Sequence, residues 1–296
     1  MDAKLRSFSR AFFQLKIFKS DGAQFEKLFT EIMTYRYEGF RKIKPWGNIG
    51  DRKNDGYIPN QKSYYQVYAP EDVRNTYPDA VKKLKEDLEG LLDHWNEVEN
   101  FYFVVNDKFY GVNADCERTL RELQKKYALK NCAFLTSDDL ERILFELEDD
   151  QIFTVAPMLE PDQISLDFSA LNTVISHIME LSNPLIGEES LIYPDWDKKI
   201  RFNDLSEISE SYLKSGFLLV NDLDEYLQNE GNFFANDLKN KIQSLYTSKK
   251  QNHCGDELFS VLVQELCPSA ALKYQSAVYV IMAKYFECCD IFEEPK

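Results

Sequence analysis

Three histidines are all that this 296-residue chain contains, which argues against hydrolysis driven by a histidine base. His94 sits beside Trp95 on an amphipathic stretch and His177 within an apolar one. In both places an imidazole is more readily a bonded helix residue than a base. No GxxxxGK[ST] sequence occurs, so ATP hydrolysis would have to come from a partner. No GxSxG elbow occurs either, which removes the serine hydrolases built on that turn. The longest apolar run, residues 277–283, is far too short to cross a bilayer. The first residues, MDAKLRSFSRAFF, show no long apolar stretch and no small-residue cleavage site, so no secretory signal is expected. Internal repeats and low-complexity tracts are absent. Six cysteines lack any CxxC spacing, and Cys288 and Cys289 are adjacent; reduced, mostly buried thiols in a cytoplasmic protein are expected. His253 and Cys254 with Cys267 and the 288–289 pair invite zinc, but the spacing is irregular, and scattered thiols are the plainer reading.

What is present is an apolar content of 44% and an aromatic share of 14%, with 21 Phe and 17 Tyr. That is enough to bury real cores, and the length has room for two domains of ordinary size. The net charge of -15 is unevenly spread. Residues 1–75 hold 14 Lys and Arg against 9 Asp and Glu, residues 76–150 hold 10 against 18, and the rest hold 11 against 23. A freestanding DNA-binding protein is rarely so acidic, because phosphate contacts dominate affinity. The one positive segment includes Arg36, Arg41, Lys42, Lys44, Arg52 and Lys53. If the chain touches nucleic acid it does so there, with help from a more basic partner.

Apolar periodicity predicts a helix through Phe25, Leu28, Phe29, Ile32 and Met33, with Asp21 as N-cap. A short strand or extended arm follows at 40–46, then a hairpin. Val81, Leu84, Leu88, Leu91, Leu92 and Trp95 mark a long amphipathic helix over 77–95. NFYFVVN at 100–106 reads as a buried strand, 115–127 as a helix, and 132–135 as a strand. A Ser-Asp-Asp cap at 137–139 precedes a helix over 140–147. From residue 150 onward helical periodicity dominates, at 171–181, 208–219, 220–230, 233–246, 257–266 and 272–289. The acidic, Pro-containing connection 157–162 is the natural boundary. The expectation is an α/β domain over 1–155, then an all-α interaction domain over 160–296.

Chemistry concentrates in GNIGDRKNDGYIPNQKSYYQVYAPED, residues 47–72. A charged loop ends at Asp55-Gly56, and a Pro-Asn turn leads into the alternation Tyr64-Tyr65-Gln66-Val67-Tyr68. As a hairpin this brings Asp55 close to Gln66, with Tyr64, Gln66 and Tyr68 on one strand face. A carboxylate and an amide oxygen converging there form a site for a hard cation such as Mg²⁺. Asp-Gly alone is a common turn signal. The combination of a helix Glu, a basic loop, Asp-Gly and a strand Gln in this order is more specific.

Gln24-Phe25-Glu26 on the first predicted helix, Gly50 with Asp55-Gly56, and Gln66 in a strand resemble the Mrr-like branch of the PD-(D/E)XK nuclease superfamily. The predicted order of elements, αβββαβ, is also that of the restriction-endonuclease-like core. The resemblance implies that Asp55 and Gln66 hold Mg²⁺ or Mn²⁺ with Glu26 at the rim. It implies further that Arg41, Lys42, Lys44, Arg52 and Lys62 face nucleic acid. Where the family carries a lysine that helps activate the attacking water, this chain has Tyr68, a phenol without charge at about pH 7. Three readings stand: the cation has moved to Lys53, the preferred candidate, or to Lys62; the site binds but cleaves poorly; or Tyr68 packs against Tyr64 and the constellation is structural.

GNIGDRKNDG with YYQVYAPED and FVVNDKFYGV, then KIRFNDLSE at 199–207 and VIMAKYFECCDIFEEP at 280–295, resemble proteins of the bacterial ABC-three-component systems. That resemblance implies defence against phage or plasmids, beside an SMC-like or ABC-type ATPase and a small middle component. The function expected is metal-dependent cleavage of DNA phosphodiesters within a complex; a homo-oligomer is left open. The competing expectation is a non-catalytic assembly or sensor component whose nuclease-like domain has lapsed, which an acidic C-terminal half suits.

Overall fold

The computed structural model describes residues 3–44, 51–71, 77–181, 196–230, 232–288 and 290–295. The chain divides into two units, one of Lys16–Ala156 and one of Met1–Leu15 with Pro157–Lys296. The helix α1 (Ala3–Phe18), for which no periodicity was read, supplies residues to both. The first fifteen residues therefore group with the C-terminal unit, not with the α/β unit in which the sequence expectation counted them.

In the first unit α2 (Gly22–Arg36) leads to β1 (Arg41–Lys42), β2 (Gly56–Ile58) and β3 (Ser63–Tyr68). Then come α3 (Tyr77–His94), β4 (Asn100–Val105), α4 (Ala114–Lys126), β5 (Asn131–Leu135), α5 (Ser137–Leu144) and α6 (Asp149–Val155). The sheet runs β1-β2-β3-β4-β5. The first three strands are antiparallel neighbours, while β4 is parallel to β3 and β5 to β4. The arm expected over 40–46 keeps a two-residue strand with one further backbone bond at Ile43, and Pro45 and Trp46 lie outside the described residues.

Period-two alternation splits β3 between two cores. On one side Tyr64 joins Phe101, Phe103 and Cys132 beneath Leu84, Leu88 and Leu91 of α3 and Leu120 and Leu123 of α4. Leu84, Leu88 and Leu91 recur at i, i+4 and i+7, which is why a long charged helix can bury one stripe. On the other side the Tyr65 ring stacks on Tyr102 at 4.9 Å and meets Phe29 of α2 at 5.7 Å. The turn after β4 is held by buried polar groups. The Asn106 amide donates to the carbonyls of Ile17 (3.0 Å) and Ser20 (2.6 Å), and Asp107 accepts from Ser137 N and Gly111 N. Thr136, one residue before the expected cap, closes α5 in a capping box with Asp139. Asp21 precedes α2 as expected, but its side chain makes no cap bond and pairs with Lys108 at 2.8 Å.

The second unit is helical: α7 (Phe168–Glu180), α8 (Trp196–Phe202), α9 (Glu207–Phe217), α10 (Val220–Glu230), α11 (Asn232–Lys249), α12 (Gly255–Leu266) and α13 (Leu272–Glu287). The last of these is apolar almost all round and lies at the centre, buried from Gln275 to Ala283 and again at Tyr285 and Phe286. Tyr212 of α9 stacks on Tyr279 at 4.2 Å. A Cβ on Gly216 would lie 2.5 Å from the Tyr279 carbonyl oxygen, so the α9 and α13 backbones touch there. Phe8 of α1 meets the rings of Tyr212 (5.9 Å) and Phe259 (6.0 Å), which explains why the N-terminal residues belong here. No described helix is long and apolar enough to cross a membrane.

Candidate functional site

The hairpin forms with Gly56 opposite Tyr65, and the same register carried one residue further puts Asp55 opposite Gln66. The turn is a 3-10 segment, Pro59–Gln61, closed by Lys62 in the left-handed region (φ 49°). A Cβ on Gly56 would displace the ring of Phe40, which is packed against Phe29 and Tyr65. The Asp-Gly pair is thus fixed by an aromatic ring filling the space beside the backbone.

Asp55 is 7% exposed and tied to both neighbouring strands. Its backbone N donates to Tyr65 O (2.9 Å), its carbonyl accepts from Ile43 N (3.1 Å), and its Oδ2 accepts from Val67 N (2.7 Å). Burial pushes the carboxyl up to about 7; the Val67 N–H opposes this, Glu26 and Asp51 add to it, and Lys44 opposes it. Gln66, immediately before Val67, is 5% exposed, and its Oε1 is buried with no hydrogen-bond partner among the described residues. Glu26 comes from α2, where its carboxylate pairs with the ammonium of Lys44. Asp51, which the sequence reading did not single out, acts on Asp55 as a third carboxylate. Its position four residues before Asp55 was the available signal. Among the described residues no three His, Cys, Asp or Glu side chains gather as a ready ligand set.

The other sequence-predicted residues go elsewhere. Arg52 and Lys53 are both left-handed (φ 54° and 60°), and the Lys53 ammonium reaches α3, 2.9 Å from Asp87 Oδ1. Asp87 is fully buried and also pairs with Lys83 at 2.9 Å. Lys53 therefore stays charged, its pKa raised first by the hydrogen bond to Asp87. Lys62 lies at the opposite end of the hairpin, 3.3 Å from Glu99 and 4.0 Å from Glu97. Arg41 and Lys42 are exposed on β1, and Arg52 is exposed on the loop. Tyr68 stacks on Phe103 at 5.7 Å, while Tyr64 stacks on Tyr57 and meets Trp95. Gly50 lies outside the described residues. Of the cysteines considered for zinc, Cys267 is buried and Cys254 exposed, and Cys289 lies outside the described residues.

Residues 169–293 match the family model of C-terminal domain 10 of the ABC-three component (ABC-3C) systems. The match takes in less than half of the chain, and it supports a defence-system context together with a helical C-terminal region. No curated protein and no solved structure matches the chain.

Proposed function

With its C-terminal region matched to the ABC-3C systems, we propose that this chain is the metal-dependent endonuclease of such a system and cleaves DNA phosphodiesters at the Asp55–Gln66 centre. The observation that carries this is the Gln66 amide oxygen. It is buried, has no partner among the described residues, and lies one residue from the N–H held by the Asp55 carboxylate. An unsatisfied buried acceptor costs ~1–3 kcal/mol, and a hard divalent cation is a partner that oxygen donors select. Asp55 and Gln66 would hold Mg²⁺ or Mn²⁺, with Glu26 at the rim. When bound, the cation would polarise the scissile phosphate and lower the pKa of a water beside it. Val67 N–H fixes one oxygen of the Asp55 carboxylate, and burial keeps bulk water from it. The Tyr68 hydroxyl offers a hydrogen-bond donor without charge. Exposed Arg41, Lys42 and Arg52 form a basic edge suited to the DNA backbone.

The order α2-β1-β2-β3-α3-β4, with β4 parallel to β3, supports a restriction-endonuclease-like core in the first unit. The helical unit would dock the ATPase and the small middle component. Phe217, 38% exposed beside Leu218 at 80%, and Phe234 are candidate anchors; the side chain of Phe233, a third candidate, lies outside the described residues.

Alone and with its partner components, the chain should nick plasmid DNA in Mg²⁺ or Mn²⁺, and Asp55→Ala should abolish nicking while the fold persists. One Mn²⁺ per chain, seen by electron paramagnetic resonance and lost in Asp55→Ala, is the accompanying result. No Mn²⁺ bound by the wild type would end the metal reading. A lapsed nuclease serving as an assembly component is the second reading, favoured by Tyr68 lying against Phe103. It is recognised by Mn²⁺ binding without nicking in any assembly.

A further inference from the structure

We infer that Lys44 is the cation of the Asp55–Gln66 centre and contacts the substrate phosphate, supplying from beside β1 the positive charge that Tyr68 lacks. This rests on the reading of the centre as phosphodiester-cleaving. Pairing between β1 and β2 continues past Lys42, since Ile43 N donates to the carbonyl of Asp55 itself at 3.1 Å. Lys44 therefore follows the residue bonded to Asp55. Its ammonium is drawn to the carboxylate of Glu26 on α2, and both side chains act electrostatically on Asp55. The Lys44 side chain is 45% exposed and that of Glu26 18%, so the ammonium is held from within and open to an incoming phosphate. The alternatives, 42% and 38% exposed, are also paired, but at other places. Lys53 reaches a fully buried carboxylate on α3, and Lys62 reaches Glu99 at the far end of the hairpin. A point charge on a flexible stem, kept in place by one carboxylate, is a suitable phosphate contact. Glu26 acts through Lys44 as a positioning residue.

The test uses the full chain in its assembled complex, with K44A, K44R and K53A. Two readouts are taken: plasmid nicking in Mg²⁺, and binding of a short duplex oligonucleotide in EDTA by fluorescence anisotropy across a salt series. K44A should slow nicking by about 100-fold, as loss of one preorganised charge does, with K44R recovering most of it. In EDTA, K44A should weaken oligonucleotide binding and lower the slope of log K against log salt by about one. Nicking retained in K44A but lost in K53A overturns the assignment to Lys44 and leaves the nuclease reading intact. No nicking by any form, with Mn²⁺ bound equally by wild type and Asp55→Ala, is failure of the nuclease reading itself. In that case Lys44 is judged by the oligonucleotide alone. Binding equal in wild type and K44A, or absent from both, overturns the contact.

Discussion

Replacing Asp55 with asparagine removes a charge from a place where burial opposes it, while keeping an oxygen to accept the Val67 N–H bond. The carboxyl ionises near its ordinary value of 3.8 in the unfolded chain but only at about 7 in the fold. Between those values the folded state binds more protons, so stability falls as pH rises through the window, and the full cost is present above it. Each unit corresponds to about 1.4 kcal/mol. Relaxation around a buried carboxylate absorbs part of the shift, which leaves an expected gain of about 2–4 kcal/mol for metal-free Asp55→Asn at pH 8. The gain should shrink to under about 1 kcal/mol near pH 4, where the folded carboxyl is protonated and the unfolded one only partly ionised, and vanish at still lower pH. Urea denaturation of the full chain in EDTA at the two pH values reads this directly as a shift in midpoint at unchanged slope. Saturating Mn²⁺ should close the gap from the other side by stabilising only the wild type. A variant less stable than wild type at pH 8, or a gap of equal size at both pH values, would show that the Asp55 carboxylate is not a strained buried charge.

Gly56→Ala should destabilise the first unit by about 1–3 kcal/mol, because its Cβ would displace the Phe40 ring from Phe29 and Tyr65. The check is a lowered urea midpoint accompanied by loss of Mn²⁺ binding, and an unchanged midpoint would deny the contact. Gly216→Ala should cost a similar ~1–3 kcal/mol in the helical unit, where the new methyl meets the Tyr279 carbonyl oxygen. Calorimetry should show one transition lowered, with Mn²⁺ binding retained. Deleting residues 1–15 should destabilise the C-terminal unit rather than the α/β unit, since Phe8 is packed on Tyr212 and Phe259. Limited proteolysis with mass spectrometry should then cut first within 157–296, and cuts confined to 16–156 would contradict the assignment.

Much of the fold was legible because its elements carry clean periods. Leu84, Leu88 and Leu91 announce α3, and the 64–68 alternation announces β3 with the correct faces. The first helix was missed because its buried residues, among them Phe8, Phe12, Phe13, Leu15 and Ile17, crowd more than one face and belong to two units. No single stripe results. The seven-residue helices α6 and α8 are too short to display a period at all. Asp107 and Asn106 were read as a polar turn, yet their bonds to Ser137, Gly111, Ile17 and Ser20 make that turn a buried joint. Such long-range polar pairing leaves no local mark in a sequence.

At the candidate site the same distinction separates Asp55 and Gln66 from the lysines. Hairpin register is local, so the opposition of residues 55 and 66 could be read from turn length and alternation. The direction of a loop lysine is not local. Two consecutive left-handed residues, Arg52 and Lys53, turn the nearer lysine to Asp87 on α3, and nothing in RKND demands that conformation. Lys44 stands farther from Asp55 in sequence than Lys53 does, yet it follows the residue whose N–H binds the Asp55 carbonyl. Charge around the site is thus distributed by tertiary contact. Asp87 withdraws one lysine while Glu26 holds another beside the centre. The helix glutamate expected at the rim of a metal site is paired with a lysine instead of standing free. On the proposed role of Lys44, the absence of lysine at 68 needs no lapse of chemistry to explain it.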